Sequence, residues 1–184
     1  LFQPVDRILE KANLSYDKND YYEACFDDVI VGDKLYGLPI DGHTEVVLYR
    51  KDLLAKYEID IPKDYNTLVS AAKQVERNEK DAHPNFKGIA ITDQAFGFYQ
   101  FAFYTAFLQN GGQIVEQRTK CPNWTSDDNM LALEKAAECF RNFFFSDDPV
   151  ADKGLTELQP DTLFAQGNSA FSFVYTWNLD DTIN

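Results

Sequence analysis

Lys34-Leu-Tyr-Gly-Leu-Pro-Ile-Asp-Gly-His-Thr-Glu-Val-Val-Leu-Tyr-Arg-Lys-Asp-Leu-Leu54 is the stretch on which the reading of the fold turns. Upstream, Asp28-Val-Ile-Val31 and the run Lys34 to Ile40 flank Gly32-Asp33. Two extended apolar runs around a two-residue turn signal predict a hairpin. Thr44 to Tyr49 is β-branched and apolar enough for a buried, interior strand, and Lys51 to Tyr57 begins a helix directly after it.

Working outward, the same alternation repeats. Phe2 to Lys11 and Tyr21 to Asp27 read as short helices, with Pro4 in an early-turn position and Asn19-Asp20 as a cap. Pro62 opens a longer helix that runs to about Glu79. Its Tyr65, Leu68, Val69, Ala72 and Val75 fall at helical spacing, while Lys63, Asp64, Lys73 and Glu76 face away. Gly88 to Thr92 reads as a strand, and an aromatic helix from about Phe98 to Asn110 is ended by Gly111-Gly112. Ser126 caps a helix with Met130, Leu133, Ala137, Phe140 and Phe144 on one stripe, and Asp127 and Asp128 suit the positive end of its dipole. Pro160 starts a short helix closed by Gly167, followed by a strand, Ser169 to Val174, and a tip, Tyr175-Thr-Trp-Asn178. Helices alternating with short apolar strands predict a layered α/β lobe, in which ligands sit at the carboxyl ends of strands. Asp41 to Thr44, Asp93 to Tyr99 and Tyr175 to Asn178 fit that position.

The 184 residues suit one ordinary domain, with no room for a second full one. Hydrophobic residues at 45 % and aromatic residues at 15 % exclude a disordered or collagenous chain. Seventeen Lys and Arg against thirty Asp and Glu leave a net charge of -13, a field that repels phosphate backbones and anionic lipid. Nucleic acid and membrane surfaces are therefore poor partners. There is no apolar run of about 18 residues and no signal-peptide pattern, and a chain that starts at Leu1 reads as an excerpt. Cys25, Cys121 and Cys139 lack CxxC spacing, so they support neither a zinc site nor a disulfide framework.

Phosphate-cradle, metal-helix and nucleophile-elbow motifs are all missing. Only His43 and His83 are available for a His-dependent triad, neither in a recognisable nucleophile context, and His83 reads as an exposed loop residue. Asp41, His43 and Glu45 point to one side of an extended segment. They read as a polar ligand-facing ridge, as a plain surface turn, or as a carboxylate pair, Asp41 and Glu45, able to act as acid and base on a glycosidic bond. Trp177 is either a partly buried core residue or, between Thr176 and Asn178, an indole face for a pyranose ring. Two sequons, at Asn13 and Asn123, read as coincidence. Asp147-Asp148 and Asp180-Asp181 cannot complete a calcium shell. No cofactor is predicted.

Lys34 to Gly42 together with Val47-Leu-Tyr-Arg-Lys-Asp-Leu-Leu54 resembles the crossover segment of family 1 extracellular solute-binding proteins, the maltose-binding-protein-like group. Pro62 to Val75, Phe107-Leu-Gln-Asn-Gly-Gly112, Phe164-Ala-Gln-Gly-Asn-Ser-Ala-Phe171 and Tyr175-Thr-Trp177 resemble later blocks in the family's order. The resemblance implies a type II periplasmic-binding-protein-like fold, a mixed sheet flanked by helices in a two-lobed architecture of which this chain is part. Residues 1–43 would be the tail of the first lobe plus the crossover, and 44–184 an incomplete second α/β lobe. It implies a receptor without catalysis that hands a sugar or oligosaccharide to the membrane subunits of an ABC importer. Such a receptor is a monomer when full length and sits outside the cell, as a surface lipoprotein or in the periplasm. Trp177 would then stack on the sugar, Phe98 and Tyr99 form a second aromatic wall, and Asp41 with His43 bond hydroxyls near the hinge. Asp41 and His43 in the crossover, and Tyr175-Thr176 in place of a frequent Gly-Pro, leave the sugar unnamed. The rivals are a carbohydrate-active enzyme using Asp41 and Glu45 and a same-fold receptor for a peptide or polyamine.

Overall fold

A computed structural model describes residues 2–26, 29–94, 102–116, 121–156 and 159–179. The chain divides into two compact units, Leu1–Thr44 and Glu45–Asn184.

In the first unit, α1 (Val5–Ala12) follows Pro4 and ends at Asn13 in the left-handed conformation, a helix stop that Asn tolerates. The expected short helix over Tyr21 to Asp27 is, in its described part, a 3-10 turn over Glu23–Phe26, and another such turn precedes it over Lys18–Asp20; the cap of that earlier turn is Asp17, whose carboxylate accepts from the Asn19 amide at 2.9 Å, not Asn19-Asp20. Three rings close together there, Tyr16, Tyr21 and Phe26, with Tyr21 edge-on to the buried Phe26 at 5.4 Å. The hairpin forms at the Gly32-Asp33 turn but is short: β1 (Ile30–Val31) pairs antiparallel with β2 (Lys34–Leu35), and no strand continues to Ile40.

The second unit is built on a three-stranded mixed sheet in the order β3 (Glu45–Tyr49), β5 (Ser169–Tyr175), β4 (Lys87–Ala90). β3 runs antiparallel and β4 parallel to β5. The expectation that Thr44 to Tyr49 is interior is corrected, because β5 is the central strand. β5 is buried from Ser169 to Val174, whereas Val47 and Tyr49 on the edge strand are 41 % and 36 % exposed. An apolar run cannot distinguish an edge from a centre, since both bury at least one face.

Among the described residues five helices accompany this sheet: α2 (Lys51–Lys56), α3 (Tyr65–Glu79), α4 (Tyr104–Gln109), α5 (Asp127–Phe144) and α6 (Gln159–Ala165). α3 begins three residues after Pro62 because Asp64 and Thr67 form a reciprocal capping box. Its Leu68, Ala71, Ala72 and Val75 are buried, and so is Glu76, expected on the outer face. Glu76 accepts the Gly88 amide at 2.9 Å and so ties the helix to β4. Gly88 is required at that crossing, where a Cβ would lie 2.9 Å from both the Cβ and the carbonyl oxygen of Ala72.

Ser126 caps α5 as expected, yet the buried face is Asn129, Ala132, Ala136, Phe140, Phe143 and Phe144. Met130 is 47 % exposed and Ala137 lies outside. Small residues let the helix approach closely and Phe143 provides the bulk, meeting Phe173 of β5 at 5.8 Å and Phe140 at 5.3 Å. α6 packs against β5 and β4.

Candidate functional site

Strand alternation places Glu45, Val47 and Tyr49 on the same side of the sheet as their cross-strand partners Tyr175, Phe173 and Phe171. This is the face on which α3 and α5 lie. At the β3 edge it opens into an apolar recess of about 300 Å³ lined by Val47, Tyr49, Tyr65, Leu68, Phe171 and Phe173 among others. Polar groups at its margin are Lys63, Asp64 and Gln109, and the Tyr65 hydroxyl donates to Gln109 Oε1 at 3.2 Å.

Toward the carboxyl end of β5 the face turns aromatic and exposed. Tyr175 and Trp177 are separated by one residue, and the chain turns into a short 3-10 segment, Thr176–Asn178, so their rings stack at 4.2 Å between centroids and 9° between planes. Trp177 is 46 % exposed, so it is not a core residue, and its indole is reachable from solvent. The side chain of Asn178 and the whole of Phe98 and Tyr99 lie outside the described residues.

Glu45 stands directly opposite Tyr175 in the register and is half-buried. Among the described residues no hydrogen bond or ion pair reaches its carboxylate. Burial without compensation pushes its pKa up to about 7. The Tyr65 phenol is pushed up to about 12, first by burial and then by the negative charge of Glu45 and of Cys139.

In the first unit, the Asp41 carboxylate is 2.6 Å from His43 Nε2 and accepts the Gly42 amide at 2.8 Å. These bonds, with His43 first, hold Asp41 below the usual carboxylate range. Asp41 and His43 are brought together and exposed. His83 is an exposed residue, as its loop context implied, 3.9 Å from Glu79. Among the described residues no three His, Cys, Asp or Glu side chains gather as a metal site, no disulfide joins the three cysteines, and no helix is long and apolar enough to cross a membrane.

An exposed aromatic step thus ends the central strand of a mixed sheet with helices packed against it. The chain belongs to the bacterial extracellular solute-binding protein family, whose profile matches residues 1–183. It is 27 % identical to a probable ABC transporter-binding protein of Deinococcus radiodurans, over 82 % of this chain and 35 % of that one. It is 24 % identical to the galactooligosaccharide-binding protein of Bacillus subtilis, over 96 % of this chain and 40 % of the relative. The maltose-bound T. maritima MalE3 superposes on all of this chain and 44 % of its own length, with a TM-score of 0.72 at 17 % identity. The fold is therefore that of the type II periplasmic-binding proteins. The chain spans less than half the length of these relatives.

Proposed function

We propose that this protein is a receptor that binds a carbohydrate between two lobes and delivers it to an ABC importer, making and breaking no bond. Residues 1–43 are the end of the first lobe with the crossover, and 44–184 are most of the second. The observation that carries the reading is the exposed Trp177 indole stacked on Tyr175 at the end of the central strand. A pyranose presents C–H groups on its faces and hydroxyls at its rim, and it is bound by a flat aromatic surface with hydrogen-bonding groups around it. Glu45 on the same sheet face supplies one such group. Hydroxyl contacts near the hinge are assigned to Asp41 with His43, and a second aromatic wall to Phe98 with Tyr99. Ligand contact with both lobes biases a pre-existing open-closed equilibrium toward the closed form that the importer reads. The site of action is outside the cytoplasm, in the periplasm or at the cell surface.

The test is a sugar titration of the full-length protein followed by tryptophan fluorescence, beside the Trp177→Phe variant. A saturable signal in the parent that is lost in the variant is expected, and no reducing ends should be released from oligosaccharides during the incubation. Steady release that disappears in Asp41→Asn or Glu45→Gln would instead make the protein a glycosidase.

A further inference from the structure

We propose that Glu45 is the specificity-determining residue of this face, and that it selects a carbohydrate bearing a protonated amine, an amino sugar, over its neutral counterpart. The inference rests on the carbohydrate-receptor reading above and narrows its substrate class.

Glu45 and Tyr175 are directly paired across the β3–β5 ladder. Side chains so placed start about 5 Å apart on one face. Tyr175 in turn carries Trp177 in a parallel stack at 4.2 Å. A sugar seated against the rim of this Tyr175–Trp177 pair, on the side of β3, would turn a ring substituent toward that carboxylate. Among the described residues no cation pairs with that carboxylate: the ionisable groups facing it there are Tyr175 from β5 and Tyr65 from α3, and Cys139 of α5 acts on Tyr65. Lys63, at the margin of the recess, is exposed, and no salt bridge joins it to Glu45 among the described residues.

A half-buried carboxylate in this condition is held toward its protonated form, and a ligand ammonium reverses that by supplying the missing charge. The raised pKa of about 7 agrees with the geometry. The same ammonium would lie beside two stacked aromatic rings, whose faces attract cations. The net charge of -13 favours its approach. A neutral hydroxyl gains neither effect.

Isothermal titration of the full-length protein at neutral pH, with the β-1,4-linked glucosamine disaccharide, its N-acetylated form and cellobiose, decides the matter. Glucosamine and maltose extend the panel. The tightest ligand should carry a free amine, binding roughly tenfold to a hundredfold more tightly than its neutral counterpart, as for a charge-assisted hydrogen bond. In Glu45→Gln that ratio should fall to near one. Wild-type heats in phosphate and in Tris should differ for the amine by the ionisation of the buffer, because binding expels the Glu45 proton. A neutral or N-acetylated sugar that binds as tightly as the amine, a preference that survives Glu45→Gln, or buffer-independent heats each overturn the proposal while leaving the receptor reading in place. Failure of every sugar, charged or neutral, to bind or to perturb Trp177 overturns both.

Discussion

Replacing Gly88 with alanine tests how α3 is seated on β4. The added methyl would sit 2.9 Å from the Ala72 Cβ, 2.9 Å from its carbonyl oxygen and 3.0 Å from its carbonyl carbon. Carbon atoms in contact rest about 3.5–4.0 Å apart, so the helix backbone must retreat by roughly half an ångström or more. That retreat also stretches the 2.9 Å bond from the Gly88 amide to Glu76. Overpacking of this kind costs about 1–3 kcal/mol. In a chain of this size each kcal/mol lowers Tm by about 2–4 °C. Urea unfolding and thermal melting of Gly88→Ala, Ala72→Gly and the double variant form a complete cycle. Ala72→Gly removes one of the three close atoms and leaves the two backbone ones, so the favourable coupling should recover less than half of the Gly88→Ala loss. A single variant within about 0.5 kcal/mol of the parent, the range of an inconsequential surface change, would refute the close seating. Full recovery in the double variant would refute the role assigned to the backbone.

Trp177→Ala should separate binding from packing. The half-exposed ring stacks on Tyr175, so about 0.5–1.5 kcal/mol of stability should be lost, while sugar affinity falls by about 2 kcal/mol or more, as for an aromatic anchor. A variant that melts early but binds normally would sink the stacking role. Glu45 has a folded pKa of about 7, above the value of about 4.3 for an exposed carboxylate. Its folded state therefore binds the proton more tightly, and its contribution falls as pH rises through that interval. The Tm of Glu45→Gln minus that of the parent should accordingly grow between those pH values and level off above them; a flat difference would count against an uncompensated carboxylate.

Much of the second unit was readable because its signals are local. The capping Ser126, the Gly32-Asp33 turn and the strand at Ser169 each announce themselves within a few residues, and the structure has all three. The errors came where a neighbour in space decides. Glu76 is polar and at an outward spacing, but the Gly88 amide beneath α3 requires an acceptor. Met130 falls on the apolar stripe yet is exposed, whereas the polar Asn129 beside it is 1 % exposed, because its carboxamide bonds the Gln113 backbone. At the site, the accessible indole of Trp177 followed from its place between hydrogen-bonding residues at a strand tip. Its stack on Tyr175 depends on the turn after β5, for which the i, i+2 spacing of the two rings is the local signal. Glu45 reads as part of a polar ridge or of a carboxylate pair, and its opposition to Tyr175 emerges only with the β3–β5 register.

Asn129 has a consequence for how this fold tolerates change. Its side-chain oxygen accepts the Gln113 amide at 2.8 Å, and its nitrogen donates to the Gln113 carbonyl at 2.7 Å and to the Asn123 carbonyl. The carboxamide thus stands in for a peptide unit of a neighbouring strand. Beyond it, the Asn123 amide bonds the Ile114 carbonyl at 2.9 Å and the Glu116 amide the Cys121 carbonyl at 3.0 Å. One buried side chain on α5 therefore anchors two backbone stretches that are also bonded to each other. Loss of that one carboxamide would release three bonds at once, so the tolerance of both stretches to change is set from α5 and not from within them.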